Sequence, residues 1–259
     1  MMAVEPSTFP ELVLVTGAAG VLGTELCNAL LARGVSVVAT DKHEPAPLPD
    51  AGSGRFTWLQ ADLEQAESRA RIVDGVRSLE TGSLGIIHNA SFVGESDLEG
   101  WTGPLESQSS ETWNRALEVG LTAAFAITRD LAQDLRAKPG SAVVHVSSIY
   151  SALGPDWTLY EGTTLGNPAA YGVAKAGSEQ LTRWLASSLA PHVRVNAVAP
   201  GGLKRNQPQE FVERYEAKVP LGRMGNETDV VDSVLFLLSS QSSYITGQVL
   251  VVDGGYSIT

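Results

Sequence analysis

Three residues have the types and spacing for proton chemistry. Tyr171 and Lys175 stand at i and i+4 in the segment YGVAK, which puts both side chains on one face of a helix. A free phenol, with a pKa of ~10, is a poor acid–base catalyst at neutral pH. A fixed ammonium beside it favours the phenolate and brings that pKa down. The pair suits proton transfer to or from an alcohol or carbonyl oxygen. Ser148 follows directly on the apolar run AVVHVS, in VVHVSSIY, and its hydroxyl can hold the same oxygen and orient it toward Tyr171. Each feature alone is ordinary. A Tyr-x-x-x-Lys pair can be a solvated helix face, and serine at a strand end is common turn chemistry.

A second group of residues suits a dinucleotide. The segment TGAAGVLG places Gly17, Gly20 and Gly23 directly after the apolar run at 12–16. Glycine lets backbone approach a pyrophosphate closely, and a helix opening at Val21 and Leu22 presents free N–H groups to it. Asp41 ends the second apolar run, 18 residues beyond Gly23. Its carboxylate can accept from both ribose hydroxyls of an adenosine and repels a 2′-phosphate. That favours NAD over NADP, although the neighbouring Lys42 could partly offset the repulsion. Asp62 and Leu63 follow the third run. There Asp62 either accepts from the exocyclic amine of adenine or caps the helix that follows. Asn89 and Ala90 end the fourth run, where a small residue lets the backbone pass beside a ribose.

The elements that must position these residues alternate along the chain. Short β-branched runs occur at 12–16, 35–40, 56–60, 85–88, 142–147, 193–199 and 248–252. Helical stretches fall between them at 21–32, 63–79, 110–136, 169–189 and 228–238. Alternation with crossovers of this length predicts a parallel sheet covered on both faces. The fold class is therefore α/β, a single Rossmann-type doubly wound domain over 1–259 with about seven strands. Pro45, Pro47 and Pro49 mark a surface loop. The polar stretch 91–109 lies past the end of the fourth strand, where open α/β sheets place loops near ligands.

Composition narrows the function classes. The chain has 259 residues, 43% of them hydrophobic and 18% charged, a globular mix. Its 18 basic and 29 acidic residues leave a net charge of −11, so no general attraction to nucleic acid or to an anionic membrane is expected. Cys27 is the one cysteine. It cannot form an internal disulfide and reads as a core residue. His43, His88, His145 and His192 are scattered without metal-ligand spacing, and no metal is expected. No apolar run approaches the ~18 residues of a membrane span. The opening MMAVEPSTFPE has no basic-then-apolar pattern. A cytoplasmic protein acting on a small molecule is the expectation.

Taken in order, the glycine turn, the acid, the strand-end Asn, the serine and the Tyr–Lys pair resemble the short-chain dehydrogenase/reductase family. The likeness runs over nearly the whole chain, from LVLVTGAAG to VVDGG. It implies that Tyr171 is the general acid/base, that Lys175 binds the nicotinamide ribose and lowers the Tyr171 pKa, and that Ser148 positions the substrate. It also implies that Pro200, Gly201 and Leu203, in PGGL, hold the carboxamide. The sequence departs from the family in three places. The glycine spacing is that of extended members, yet the chain ends soon after its seventh strand. The strand-four motif reads HNAS where the family has Asn-Asn-Ala-Gly, and His88 is expected to be a neutral strand-end residue. Gly120, in VGLTAAF, replaces an Asn that shapes the long helix so that its carbonyl holds a water next to the lysine. Asn114 lies about 240° round the helix and is no substitute. Glycine keeps the carbonyl, and its freedom permits a similar helix distortion, so the proton relay is expected to pass through Gly120.

Two segments are expected to shape the substrate. Ser148 and Tyr171 are 23 residues apart, further than is usual in the family. The loop 149–170 between them carries Trp157, Tyr160 and Glu161. Such aromatic and polar side chains suit a sugar, or they pack a surface loop against itself. The expected lid, 201–224, carries Lys204 and Arg205, which bind a phosphate or carboxylate or else are solvated lid charges. The stretches SSIYSALGPDWTLYEGT, NQPQEFVERY, PLGRM and SSYITGQ are similar to a bacterial branch known as flagellin modification protein A and to proteins of surface-polysaccharide biosynthesis. That resemblance implies a sugar or amino-sugar substrate, with or without a phosphate. Two alternatives stay open: a nucleotide-sugar epimerase or dehydratase that uses NAD transiently, and a non-catalytic NAD-binding protein. Helix 169–189 is small or apolar on more than one face, so one face can meet the sheet and another a partner; the family resemblance implies a homodimer or homotetramer through such helices.

Overall fold

The five residues LVLVT are all buried, although Leu12 and Leu14 point to one side of the strand and Val13 and Val15 to the other. A strand apolar on both faces needs a layer of helix on each. The computed structural model supplies both layers; it describes residues 8–44, 54–79, 81–92 and 98–259. The proline loop and part of the stretch 91–109 lie outside the described residues.

Seven strands form one all-parallel sheet: β1 (Leu12–Thr16), β2 (Ser36–Asp41), β3 (Phe56–Gln60), β4 (Leu84–His88), β5 (Ala142–Val146), β6 (Arg194–Pro200) and β7 (Val249–Val252). Their order is β3-β2-β1-β4-β5-β6-β7. Thr16 pairs with Thr40 of β2 on one side and His88 of β4 on the other. The order reverses at that point, and open α/β sheets bind ligands in the crevice beyond the carboxyl ends there.

The helices are α1 (Val21–Leu31), α2 (Ala66–Arg77), α3 (Ser110–Leu117), α4 (Ala123–Asp130), α5 (Ala132–Ala137), α6 (Ala169–Leu189), α7 (Gln209–Glu216) and α8 (Glu227–Leu238). One core packs Val13, Val15 and Val37 against α1 and α8. The other packs Leu12, Leu14 and Ile86 against α2, α4 and α6. Cys27 is fully buried in the first core, and burial pushes its thiol up to about 12. A capping box of Asn226 and Asp229 starts α8. Among the described residues no helix is long and apolar enough to cross a membrane.

Two stretches differ from the sequence reading. Helix α2 begins at Ala66 rather than 63, because Asp62 first closes a turn on the Glu64 N–H at 3.0 Å. The expected helix 110–136 is three helices. A π-helical turn, Glu118–Thr122, separates α3 from α4, and a further break at Leu131 separates α4 from α5. Gly120 sits in the middle of the π turn, and its wide hydrogen-bonding pattern is the distortion glycine was expected to permit.

Candidate active site

The glycine turn is built by close approaches. Gly17 has φ +68°, and a Cβ there would lie 2.7 Å from Ala90 Cα. A Cβ on Gly23 would lie 2.1 Å from the Gly17 carbonyl oxygen. Gly20 differs: its φ is −70°, and a Cβ would meet nothing nearer than the same oxygen at 3.4 Å. Internal packing thus accounts for two of the three glycines. At Gly20 the space that a methyl would fill belongs to the cavity.

Strand ends tie into this turn. Asn89 donates from Nδ2 to the carbonyls of Thr16 and Gly17 at 3.2 and 2.9 Å. The Asn89 and Ala90 N–H groups both donate to Thr16 Oγ1. Asp41 accepts from the Ala19 N–H on one carboxylate oxygen and from the His43 N–H on the other. Its charge is therefore fixed at the mouth of the turn.

A single cavity of about 1180 Å³ lies along the carboxyl edge of the sheet. Gly17, Gly20, Val21, Leu22 and Gly23 line one end, with Asp41, Lys42, Asp62 and Leu63. Asn89 and Ala90 line its middle, and Ser148, Tyr171, Lys175, Pro200, Gly201 and Leu203 line the other end. The candidate cofactor and catalytic residues thus line one cavity. The Pro200–Leu203 backbone is held by Tyr215, whose hydroxyl accepts the Gly202 N–H at 2.6 Å. A Cβ on Gly201 would lie 2.8 Å from Asp253 Cβ.

Tyr171 and Lys175 come from the first turns of α6 and Ser148 from the segment after β5. Burial pushes the Tyr171 phenol up, while a hydrogen bond from Ser148 and the charge of Arg205 pull it down. Lys175 Nζ donates to the Val146 carbonyl at 2.7 Å and lies 5.7 Å from the centre of the Tyr171 ring. Burial brings the Lys175 ammonium down to about 8. Glu179, one turn further along α6, accepts from Ser147 Oγ at 2.9 Å and from Ser151 Oγ. That carboxylate clasps the two residues that bracket Ser148.

The four candidate substrate residues separate. Tyr160 and Arg205 line the cavity. Glu161 is exposed and outside its lining, with its carbonyl accepting from Arg214. Lys204 is also outside the lining and pairs with Glu216 at 3.2 Å. Arg205 pairs with Glu227 at 3.0 Å. Both segments fold onto each other: Ile149 and Leu159 share a core with Phe211, Val212, Tyr215 and Met224. The aromatic loop does pack, with Trp157 on Tyr160 and Tyr160 on Phe211.

Sequence reasoning missed several lining residues. Tyr150 lines the cavity and meets Tyr160 hydroxyl to hydroxyl at 2.9 Å; its place two residues after Ser148 was the available signal. Phe211 and Tyr215 line it from α7, and their i and i+4 spacing was legible. Arg115 lines it from α3, held by Glu64 and stacked over Phe92 at 4.7 Å. Nothing local to Arg115 pointed there.

Comparison with known proteins gives consistent results. A family model described as enoyl-(acyl carrier protein) reductase matches residues 17–257. The cis-4-hydroxycyclohexanecarboxylate dehydrogenase of Sinomonas cyclohexanicum is 32% identical, over 95% of this chain and 96% of its own. The galactitol 2-dehydrogenase (L-tagatose-forming) of Cereibacter sphaeroides is 28% identical, over 94% of each. A short-chain dehydrogenase from Leptospira borgpetersenii, solved with bound NAD+, superposes with a TM-score of 0.83 at 32% identity, covering 97% of this chain and 94% of that one.

Proposed function

Because this chain belongs to the short-chain dehydrogenase/reductase family, we propose that it transfers a hydride between NAD and a ring or chain carbon of a sugar-like alcohol or ketone. The observation that carries the reading is the shared cavity: the glycine turn lines one end and the Ser148, Tyr171 and Lys175 side chains the other. The cradle at Gly20, which a methyl would fill, fits a pyrophosphate crossing a helix N-terminus. Asp41 suits a free ribose diol rather than a 2′-phosphate, which supports NAD over NADP. Asp62 and Leu63 flank the adenine, with Lys42 and Val21 at its rim. Asn89 and Ala90 lie along the ribose, and Pro200, Gly201 and Leu203 hold the carboxamide.

NAD supplies a hydride acceptor when bound. The chain's own residues manage the oxygen. Ser148 holds the substrate hydroxyl and orients it. Tyr171 takes the hydroxyl proton during oxidation and returns it during reduction. Lys175 binds the nicotinamide ribose from beside the Tyr171 ring. Tyr150, Tyr160, Phe211 and Tyr215 bring apolar ring faces and hydroxyls to the substrate end, which suits a polyol or a hydroxylated ring. Arg205 is cationic there, and a carboxylate or phosphate on the substrate is its natural partner. The relatives that act on galactitol and on a hydroxycyclohexanecarboxylate agree with both features. Segments 149–170 and 201–224 together form the substrate wall. Homodimers or homotetramers form through α6, whose Val173 and Trp184 are exposed.

A panel of polyols, sugars, sugar phosphates, nucleotide sugars and cyclic hydroxy acids, each with NAD and NADP, tests the reading by absorbance of the reduced cofactor. Net NADH formation with at least one of these, lost in Tyr171→Phe, is expected. Conversion without net NADH would replace it with an epimerase or dehydratase.

A further inference from the structure

Two imidazoles meet under the catalytic helix, and the chemistry above uses neither. His88 of β4 and His145 of β5 are register partners, with ring centres 4.9 Å apart and planes inclined by 37°. Both are buried, His145 to 1% exposure. Side chains alternate along a strand, so His145 shares its face with Val143 and Ser147. Val143 packs in the core below α4 and α6. Ser147 Oγ hydrogen-bonds to the Lys175 carbonyl and to Glu179. His145 thus lies between the apolar core and the part of α6 that carries Lys175. His88 Nε2 is satisfied by Thr128 Oγ1 at 2.8 Å. His145 Nε2 is buried and has no hydrogen-bond partner among the described residues.

The titratable groups facing His145 are His88 from β4 and Lys175 from α6; Tyr171 in turn flanks Lys175. Burial, then the Lys175 charge, pushes His145 down to about 3. Burial, then His145, also lowers His88. Both rings are neutral at any working pH, and a neutral imidazole offers one acceptor nitrogen. The Lys175 ammonium has three N–H donors, one of them on the carbonyl of Val146, the residue after His145. A buried imidazole nitrogen without a partner and an ammonium with donors to spare are the polar groups that an internal water satisfies. The π turn adds no side chain there: Gly120 faces Ala174, where a Cβ would stop 3.4 Å from Ala174 Cβ.

We propose that His145 is a positioning residue for Lys175. Its Nε2 accepts a hydrogen bond from one internal water that the Lys175 ammonium also holds. The neutral ring keeps that ammonium charged and in place beside Tyr171. An acceptor on the charged form opposes the burial that brings Lys175 down to about 8, so removing it lowers the lysine further.

The test needs neither substrate nor cofactor, so it stands apart from the function proposed above. The chain has five lysines; with 13C at their Cε, the Lys175 resonance is identified by its loss in Lys175→Arg and titrated by NMR. His145→Leu, apolar and of similar volume, is expected to move the Lys175 midpoint down by about one unit, a ten-fold change in protonation. His145→Gln keeps an acceptor and is expected to titrate close to the parent. Equal midpoints in the Leu and Gln variants overturn the proposal, whatever either does to stability. The unsubstituted protein gives a second test that no folding defect can obscure. In 15N spectra of its histidines, His145 must carry its proton on Nδ1 with Nε2 as acceptor, and a proton on Nε2 overturns the proposal.

Discussion

Replacing Gly17 and Gly20 by alanine, one at a time, separates what folding demands of the turn from what a dinucleotide demands. At Gly17 the backbone is left-handed, with φ +68°, a conformation that costs an L-residue ~1–2 kcal/mol. The added methyl would also lie 2.7 Å from Ala90 Cα and 2.9 Å from Ala90 N, and overpacking of that kind costs about 1–3 kcal/mol. A chain of this size loses ~2–4 °C of melting temperature per kcal/mol, so Gly17→Ala should melt roughly 5–15 °C lower. At Gly20 the φ of −70° suits alanine, and the sole near neighbour is an oxygen at 3.4 Å. The entropy removed from the unfolded chain, ~0.4–1 kcal/mol, offsets the weaker helix cap. Gly20→Ala should melt within about 2 °C of the parent. Scanning calorimetry with and without NAD then shows the difference. At 100 times its dissociation constant NAD stabilises the parent by ~2.7 kcal/mol. A methyl in the cradle that weakens binding ten-fold leaves about 1.4 kcal/mol at the same concentration. A Gly20→Ala protein that keeps the full NAD-induced shift would refute the placement of the pyrophosphate. A Gly17→Ala protein as stable as the parent would refute the steric argument.

Four further outcomes follow from the same geometry. Tyr171→Phe should lower turnover by about 10²–10⁴-fold while NAD affinity, measured by titration, stays within two-fold. Lys175→Met should abolish turnover yet raise stability near neutral pH. The lysine falls from 10.5 to about 8 on burial, so the folded state carries a penalty of up to ~3 kcal/mol below pH 8. The penalty fades between about 8 and 10.5, where the unfolded chain holds the extra proton. Melting curves of the two proteins should therefore converge as pH rises through that window; a constant gap contradicts the assignment. Asp41→Asn should lower the ratio of kcat/KM for NAD over NADP at least ten-fold, read from initial rates with each cofactor. Gly120→Asn places a side chain against Ala174 and should change turnover by less than about ten-fold. An increase of orders of magnitude would mean that the glycine had interrupted the proton relay.

What was legible in the sequence depended on how local its cause was. Each buried strand carries its own apolar run, so all seven were readable, and the helical crossovers between them made the sheet parallel; their order in the sheet came from the structure. The glycine turn was readable because part of its demand is local, the left-handed backbone at Gly17 and the contact of Gly23 with the Gly17 carbonyl; the approach of Ala90 to Gly17 was not. The start of 63–79 was misjudged because Asp62 uses its carboxylate on the Glu64 N–H, a choice between two donors that composition cannot decide. Helix α7 was read only as lid, since its eight residues owe their order to packing of Phe211, Val212 and Tyr215 on Ile149 and Leu159, which lie some fifty residues away.

The active site divides along the same line. Tyr171 and Lys175 were legible because one helix turn joins them; the influence of Arg205 on the phenol was not, because it comes from a different strand end. The π turn is intermediate. Gly120 announced a weak point, but a weak point becomes a wide turn only where a neighbour presses against it, and Ala174 of α6 lies on that side. The same helix that presents the phenol and the ammonium therefore shapes the element packed against it. His88 and His145 are the far case: nothing in either local sequence links them, and register between β4 and β5 brings their rings together, tilted by 37°. A polar pair in that position costs stability unless its nitrogens are used. One is used by Thr128; the other, His145 Nε2, has no partner among the described residues, and the hydrogen bond proposed for it from an internal water would offset that cost.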